Sequence, residues 1–234
     1  MYRYLFFDAD GTLFDFDQAE KEAFFACAKD LGTTFDEPMF TLYQACNSAC
    51  WQEFERGTLS LAELKTKRFA VFSNQSKVVL NPDQASRYYQ AHLASQGILF
   101  PESREVLETL KQQGYILYLA SNGISDVQRG RIEAAHIASY FSHIFISEEL
   151  GYQKPDPRFF RTMLATANLE QEKSRCLMIG DSLSSDIKGG MASGIDTVWF
   201  NPGNKRIETS VSPTYTIQTL MQIMTLLSPN SSPI

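Results

Sequence analysis

Residues 4–12 read YLFFDADGT, a short apolar run followed at once by two aspartates, a glycine and a threonine. The run is too short for a buried helix and is typical of a buried strand. Successive residues of an extended chain point to opposite sides, so Asp8 and Asp10 can face one cleft while Ala9 turns away. The stretch therefore predicts a strand that delivers two carboxylates to a site at its carboxyl end.

Further apolar runs along the chain have the same length and character. They predict four more strands, at 116–120, 143–147, 176–179 and 197–200. Segments of helical period separate these runs, at 103–113, 125–136, 156–167 and 184–193. Alternating strands and helices are typical of a parallel sheet with helices on both faces, so the sequence predicts an α/β, doubly wound fold with a Rossmann-like core.

An interval of about a hundred residues after the first strand breaks this alternation. It contains four predicted helices, at 17–31, 38–56, 60–73 and 82–96. An insertion of this size has to bury its own apolar faces, which predicts a smaller all-helical domain. We therefore expect a core of residues 1–15 and 99–234 and a helical domain of residues 16–98. The polar end, 228–234, is predicted to fray.

The charge balance bears on the class of partner. Asp and Glu total 27 against 21 Lys and Arg, which gives a net charge of −6. Affinity for polynucleotides depends on clusters of Lys and Arg, so we expect no polynucleotide partner. The N-terminus resembles no secretory signal and no run is long enough to span a membrane, so we expect a cytoplasmic protein with no membrane partner. Reduced thiols are expected at the four cysteines, which lack a CxxC pair: Cys27, Cys46, Cys50 and Cys176.

Chemically active side chains follow the other predicted strands. Because parallel strands end at a common edge, these residues are expected at one site: Ser121, Asn122 and Gly123 after the second strand, Lys154 after the third, and Asp181 and Asp186 after the fourth. Two carboxylates 4 Å apart repel by about 4 kcal/mol at an effective dielectric near 20. Protonation or a bound cation would relieve this repulsion, and oxygen ligands favour Mg²⁺.

The polar groups at these strand ends also predict a phosphate site. Ser121 with the amides of Asn122 and Gly123 forms a small nest for an oxygen anion, and Lys154 supplies positive charge. Thr12 offers a hydroxyl that could steady the first loop. We count these residues, Thr12 included, as the candidate phosphate-binding set.

The full set of motifs resembles that of the haloacid dehalogenase-like hydrolase superfamily, over nearly the whole chain. The residues concerned are Asp8-Ala9-Asp10-Gly11-Thr12-Leu13-Phe14, Ser121-Asn122-Gly123, Lys154-Pro155, and Gly180-Asp181-Ser182 with Asp186. The resemblance implies that Asp8 becomes phosphorylated and that Asp10 acts as general acid and base. It further implies Mg²⁺ held by the Asp8 carboxylate, the Asp10 main-chain carbonyl and Asp181, with Asp186 in support. Dehalogenation is disfavoured, because that branch lacks the aspartate present here as Asp10.

The helical insertion resembles the cap domain of this superfamily, in the branch of bacterial pyrimidine nucleoside 5′-monophosphate phosphatases. The similar segments are 14–17, 43–47 with Trp51, 57–58 and 146–151. A small phosphate monoester is the implied partner, and Phe16, Tyr43, Asn47 and Trp51 are candidate contacts. The helical spacing of Tyr43, Asn47, Trp51 and Phe54 is more typical of core packing than of a surface that binds a base, and Trp199 is expected in the core.

Three alternatives stay open at the level of sequence. The chemistry also suits a phosphoglycolate or sugar-phosphate phosphatase, or a phosphomutase that returns the phosphoryl group to a sugar. A non-catalytic binding protein is the remote alternative, disfavoured because all of the charged residues are present. Either a monomer or a homodimer is compatible with the sequence.

Overall fold

The chain forms two compact units, described in a computed structural model that covers residues 1–206 and 210–228. The first unit, the core unit, comprises Met1–Asp15, Leu99–Ser125 and Ala135–Ile234, and the second, the helical unit, comprises Phe16–Ile98 and Asp126–Ala134. The segment Asp126–Ala134 thus clusters with the helical unit, although it follows the second strand in sequence. The predicted fraying of 228–234 falls almost wholly on residues 229–234, which lie outside the described residues.

The core unit is built on a six-stranded sheet within the described residues, and each pair of neighbouring strands is parallel. The strands are β1 Tyr4–Phe7, β2 Ile116–Ser121, β3 Phe141–Ile146, β4 Cys176–Gly180, β5 Asp196–Phe200 and β6 Tyr215–Ile217. Their order is β3-β2-β1-β4-β5-β6, so the chain winds outward on one side of β1 and then on the other. The predicted doubly wound α/β fold is confirmed. Its switch point, where ligands of such sheets bind, lies between β1 and β4.

Ten α-helices occur among the described residues: α1 Phe16–Asp30, α2 Glu37–Glu55, α3 Leu61–Ser76, α4 Pro82–Ala94, α5 Ser103–Gln112, α6 Ser125–Ala134, α7 Ser147–Leu150, α8 Pro157–Thr166, α9 Lys188–Ala192 and α10 Gln222–Leu227. Local signals begin several of them. The Asp36 carboxylate caps α2 by accepting from the amide of Met39, and Ser60 with Glu63 forms a capping box at α3. Such caps satisfy amides that have no partner within the helix.

The helical unit packs around aromatic side chains. Phe24 stacks on Phe35 and Tyr43 at centroid distances of 4.6 and 4.8 Å. The ring of Phe72 lies edge-on to the ring of Phe24 at 5.4 Å. Aromatic rings bury large apolar areas, so this cluster gives the insertion an interior of its own. That the unit serves as a cap domain stays a prediction.

A layer of apolar side chains covers one face of the central strands. Phe6 of β1 stacks on Tyr118 of β2 at 4.6 Å, and both belong to a buried cluster with Phe145, Phe160 and Met178. This packing holds β1, β2 and β4 in register, with Leu5 opposite both Leu117 and Leu177. The strand ends that carry the predicted site are therefore fixed by the core beneath them.

Several elements differ from the sequence prediction. The expected helix 184–193 begins instead with a π-helical turn, Leu183–Ile187, before α9. The reason is local, because the Ser182 hydroxyl caps the turn and Asp186 folds back to the Ser182 amide. The short elements β6, α7 and α10 have too few residues to show a period and were not predicted.

The four cysteines are free and buried, as expected for reduced thiols. In the described part of the chain, no helix combines the length and the apolar character needed to cross a bilayer.

Candidate active site

Asp8 begins the site, directly after β1. Its amide donates to the carbonyl of Ile179 in β4 at 2.8 Å, so the residue is held by the sheet itself. Only 7% of Asp8 is exposed. The Thr12 hydroxyl lies 3.4 Å from Asp8 Oδ2, and the amides of Leu13 and Phe14 both donate to the Ala9 carbonyl. The loop after β1 is therefore a tight turn closed around Ala9, with Thr12 turned toward Asp8.

Gly11 lets this loop approach the residue that follows β4. Its φ is +79°, a conformation that side chains with a Cβ rarely adopt, and a Cβ there would lie 2.7 Å from Asp181 Oδ2. The loop after β1 therefore closes directly against the carboxylate of Asp181.

Lys154 is the positive centre of the site. Its Nζ donates to Asp8 Oδ1 at 2.6 Å, to Asp186 Oδ1 at 2.7 Å and to the carbonyl of Ala120 at 2.5 Å. These three bonds use all of the donors of the ammonium group. Since Lys154 is only 1% exposed, the protein rather than water compensates its charge.

Asn122 fixes the main chain of Lys154. The Asn122 Nδ2 donates to the Lys154 carbonyl at 2.7 Å, and the Lys154 amide donates to Asn122 Oδ1 at 2.7 Å. The sequence indicated a phosphate role for the amide of Asn122 and gave no signal for this use of its side chain. The pair of bonds makes Asn122 a positioning residue for Lys154.

The carboxylates of Asp8, Asp181 and Asp186 converge. Each offers one oxygen, and the three oxygens lie within 4.8 Å of one another. Asp186 is 1% exposed and accepts from the Ser182 amide at 3.1 Å, while Asp181 is the most accessible of the three. Gly180 makes room, since a Cβ there would lie 2.2 Å from Asp186 Oδ2.

The electrostatics follow from burial and crowding. Burial raises the pKa of Asp8 well above its usual range, against the lowering effect of Lys154, and the charges of Asp186 and Asp181 raise it further. Burial is also the main cause that raises the pKa of Asp181, to about 7, and the charge of Asp186 is the next largest. Burial lowers the pKa of Lys154, but Asp186 and Asp8 raise it more, so the net shift is upward and the lysine stays charged.

This donor set suits a divalent cation. With all groups ionised, three carboxylates against one ammonium leave two negative charges in a largely buried space. The ligand atoms are all hard oxygens, which favour Mg²⁺ over softer metals. Asp186 accepts from protein donors through both oxygens, at 2.7 and 3.1 Å, whereas Oδ2 of Asp8 has only the long 3.4 Å contact to Thr12 and Asp181 is the most accessible of the three. Asp8 and Asp181 are therefore the residues best placed to hold such an ion.

The other predicted core residues lie on the same strand ends. Asp10 is half-buried in the loop after β1 and its backbone bridges to Phe14, while Ser121 ends β2 and is 1% exposed. Gly123 follows Asn122 at the same edge. The carboxylate of Asp10 is not among the three that converge.

The candidates in the helical unit divide into two groups. Tyr43 and Asn47 are buried, and Asn47 donates to Glu20 at 2.7 Å and accepts from Arg68 at 3.3 Å. Both residues thus have partners within the helical unit, and Glu20 and Arg68 were not singled out in the sequence. Phe16 and Trp51 are half-buried.

Comparison with known proteins agrees with the geometry. The profile of a family described as haloacid dehalogenase-like hydrolase matches residues 2–194. The pyrimidine 5′-nucleotidase PynA of Streptococcus pneumoniae is 37% identical over 231 residues, which cover 98% of this chain and 96% of PynA. The pyrimidine 5′-nucleotidase YjjG of Escherichia coli is 31% identical over 225 residues, which cover 96% of this chain and 97% of YjjG. The crystal structure of the putative hydrolase YfnB of Bacillus subtilis bound to magnesium has a TM-score of 0.90 at 31% identity, covering 97% of this chain and 98% of YfnB.

The fold, the convergent carboxylates and the profile define the class: the chain belongs to the haloacid dehalogenase-like hydrolase family. Within that family it is similar over nearly its whole length to pyrimidine 5′-nucleotidases, and it is a phosphoric monoester hydrolase. The resemblance inferred from the four motifs is confirmed.

Proposed function

We propose that the chain is a magnesium-dependent 5′-nucleotidase that hydrolyses pyrimidine nucleoside 5′-monophosphates through a phosphorylated Asp8. The observation that carries the proposal is the buried cluster in which Lys154 joins Asp8 to Asp186 at 2.6 and 2.7 Å. Such a cluster is costly to bury and is characteristic of a site that works on a charged substrate. The substrate class comes from PynA and YjjG, both named as pyrimidine 5′-nucleotidases.

In the first half of the reaction, a carboxylate oxygen of Asp8 attacks phosphorus. The phosphorus–oxygen bond to the nucleoside breaks as the bond to Asp8 forms, and Asp10 gives its proton to the leaving 5′ oxygen. Ser121 and the amides of Asn122 and Gly123 bind the phosphoryl oxygens, with Thr12 steadying Asp8. Lys154 joins them by exchanging its bond to Asp8 Oδ1 for one to a phosphoryl oxygen. In the second half, Asp10 takes a proton from water, the water attacks phosphorus, and phosphate leaves with Asp8 restored.

Bound Mg²⁺ would supply positive charge that offsets the phosphoryl oxygens and the crowded carboxylates. We assign its binding to the Asp8 carboxylate, the Asp10 main-chain carbonyl and Asp181. Asp186 supports the site by holding Lys154 and the Ser182 amide. The role of residues 16–98 as a cap, with nucleoside contacts from Phe16, Tyr43, Asn47 or Trp51, stays a prediction, as do the cytoplasmic location and the monomeric or dimeric state.

The test is phosphate release from a panel of monophosphates in the presence of Mg²⁺. We expect kcat/KM for dUMP, dTMP and UMP to exceed that for purine nucleotides, sugar phosphates and phosphoglycolate. Preference for phosphoglycolate or a sugar phosphate would contradict the proposed substrate class and leave the proposed mechanism standing. Interconversion of hexose phosphates without phosphate release would indicate a mutase. Release from none of these compounds would reject the proposal and favour a binding protein.

Variants test the chemistry separately from the substrate. Asp8→Asn and Asp10→Asn should each lower kcat by more than about a hundredfold, because one removes the nucleophile and the other the proton donor. Asp196→Asn is the matched control, since Asp196 starts β5 at the opposite edge of the sheet and binds Tyr2. EDTA should abolish turnover and Mg²⁺ should restore it. Full activity of Asp8→Asn would contradict the covalent mechanism.

A further inference from the structure

Trp199 contacts the peptide group that links Asp181 to Ser182. Its indole Nε1 donates to the Asp181 carbonyl at 2.8 Å. The amide of the same peptide group, on Ser182, donates to Asp186 Oδ2 at 3.1 Å. One peptide plane is therefore held from both sides, by an indole on β5 and by a carboxylate of the candidate metal site.

The position of Trp199 in the sheet explains why it reaches this carbonyl. Gly180, the last residue of β4, pairs with Trp199, and β5 ends one residue later at Phe200. The carbonyl of Asp181 lies beyond the last paired residue of that ladder. A carbonyl near the protein interior needs a donor, and an indole N–H can only donate.

The hydrogen bonds continue into the centre of the site. Asp186 Oδ1 accepts from Lys154 Nζ at 2.7 Å, and Lys154 Nζ donates to Asp8 Oδ1 at 2.6 Å. Trp199 is thus the outer end of a chain of hydrogen bonds that reaches the nucleophile. In a buried setting such bonds strengthen one another.

We propose that Trp199 is a positioning residue of the metal site, which holds Asp181 and Asp186 in the arrangement that binds a divalent cation. The inference rests on the proposed function, because it assumes that the carboxylate cluster binds Mg²⁺. Without the indole donor, the Asp181–Ser182 peptide can rotate, and both carboxylates have to be ordered when the ion binds. Loss of an outer partner of this kind typically weakens metal affinity by about tenfold or more.

The first test is calorimetric titration of the metal-free protein with Mg²⁺. Trp199→Phe keeps an aromatic ring in the core and removes the donor, so its Kd should rise about tenfold while kcat at saturating Mg²⁺ falls far less. The matched control is Phe200→Leu, which trims the next buried ring of the same strand, packed against Phe100, and should leave Kd within about twofold. Equal loss of affinity in both variants would mean that core packing is responsible and would overturn the inference.

The second test needs no destabilised variant. The chain has two tryptophans, Trp51 and Trp199, so a ¹⁵N–¹H spectrum contains two indole signals, which Trp51→Phe assigns. The Trp199 signal should move on titration with Mg²⁺ and should exchange slowly with deuterium. If Mg²⁺ binds and the Trp199 signal stays in place, the inference fails while the proposed function stands. If the wild-type protein binds no Mg²⁺, the proposed magnesium-dependent function is wrong, whatever the Trp199 signal does.

Discussion

The ammonium nitrogen of Lys154 lies 2.6 Å from Oδ1 of Asp8, and both side chains are buried. The pairing has two consequences for Asp8. It opposes the rise in the pKa of Asp8 that burial causes, and so favours the ionised form that a nucleophile needs. It also places a positive charge beside the oxygen atoms that would receive a phosphoryl group.

Replacement of Lys154 should remove both effects. We expect Lys154→Met to lower kcat/KM by at least about a hundredfold and to lower the melting temperature of the protein, because Asp8 and Asp186 are left buried without a counter-charge. The measurements are steady-state kinetics and thermal denaturation. Lys173→Met, at the exposed turn before β4, is the control and should change neither. Near-normal kcat/KM in Lys154→Met would remove Lys154 from the catalytic set.

Asn122 should matter through Lys154. Asn122→Ala removes the two 2.7 Å bonds to the Lys154 main chain, so we expect kcat to fall about tenfold. The chain offers a close control in Asn201, whose side chain makes the same pair of bonds, at 2.9 Å each, to the main chain of Lys205. The two substitutions should lower the melting temperature by similar amounts, but Asn201→Ala should leave kcat within about twofold of the wild-type value. A loss of kcat of equal size in both variants would argue against a specific role for Asn122.

The sequence could predict the parts of this site that follow from strand order. Asp8 follows β1, Ser121 ends β2 and Asp181 follows β4, and parallel strands end at one edge, so these three residues had to be neighbours. Sequence could not predict the contacts made beyond the strand ends. The bond from Trp199 to the Asp181 carbonyl depends on the register of β4 against β5, and the side-chain bonds of Asn122 depend on how the loop before Lys154 folds.

The helical unit shows the same limit. Helical spacing indicated that Tyr43, Asn47 and Trp51 share a face of α2, but spacing cannot say what that face contacts. The buried partners of Asn47, Glu20 in α1 and Arg68 in α3, come from helices whose packing the sequence does not specify. Helix boundaries were predicted to within a few residues because capping residues such as Ser60 mark them.

Gly180 should tolerate no side chain. A Cβ at this position would lie 2.2 Å from Asp186 Oδ2 and 2.4 Å from its Cγ, so Gly180→Ala should displace Asp186 from Lys154. We expect loss of Mg²⁺ binding, measured by calorimetry, together with a lower melting temperature. Gly203→Ala is the control, because its Cβ would meet only the Lys205 side chain at 3.8 Å. Wild-type Mg²⁺ affinity in Gly180→Ala would show that Asp186 does not support the site.

The metal-free protein should be stabilised by removal of one of its crowded carboxylates. Burial and the charge of Asp186 raise the pKa of Asp181 to about 7 in the folded state, whereas the unfolded value is near 3.9. Between these values the folded state holds a proton that the unfolded state has lost, so this carboxyl makes the metal-free protein less stable as pH rises from about 4 to about 7. Asp181→Asn has no such group to ionise.

We therefore expect Asp181→Asn to melt at a higher temperature than the wild-type protein above pH 7 in EDTA, with the difference vanishing near pH 4.5. For a chain of this size, a melting temperature higher by about 2 °C corresponds to a free energy of unfolding larger by roughly 1 kcal/mol or less. Mg²⁺ should raise the melting temperature of the wild-type protein at pH 8 and leave Asp181→Asn unchanged, because the variant has lost a ligand. The measurement is thermal denaturation across pH with and without the metal. A pH-independent difference between the two proteins would mean that Asp181 has the same pKa in the folded and the unfolded state. Its carboxylate would then be less crowded than three oxygens within 4.8 Å of one another imply.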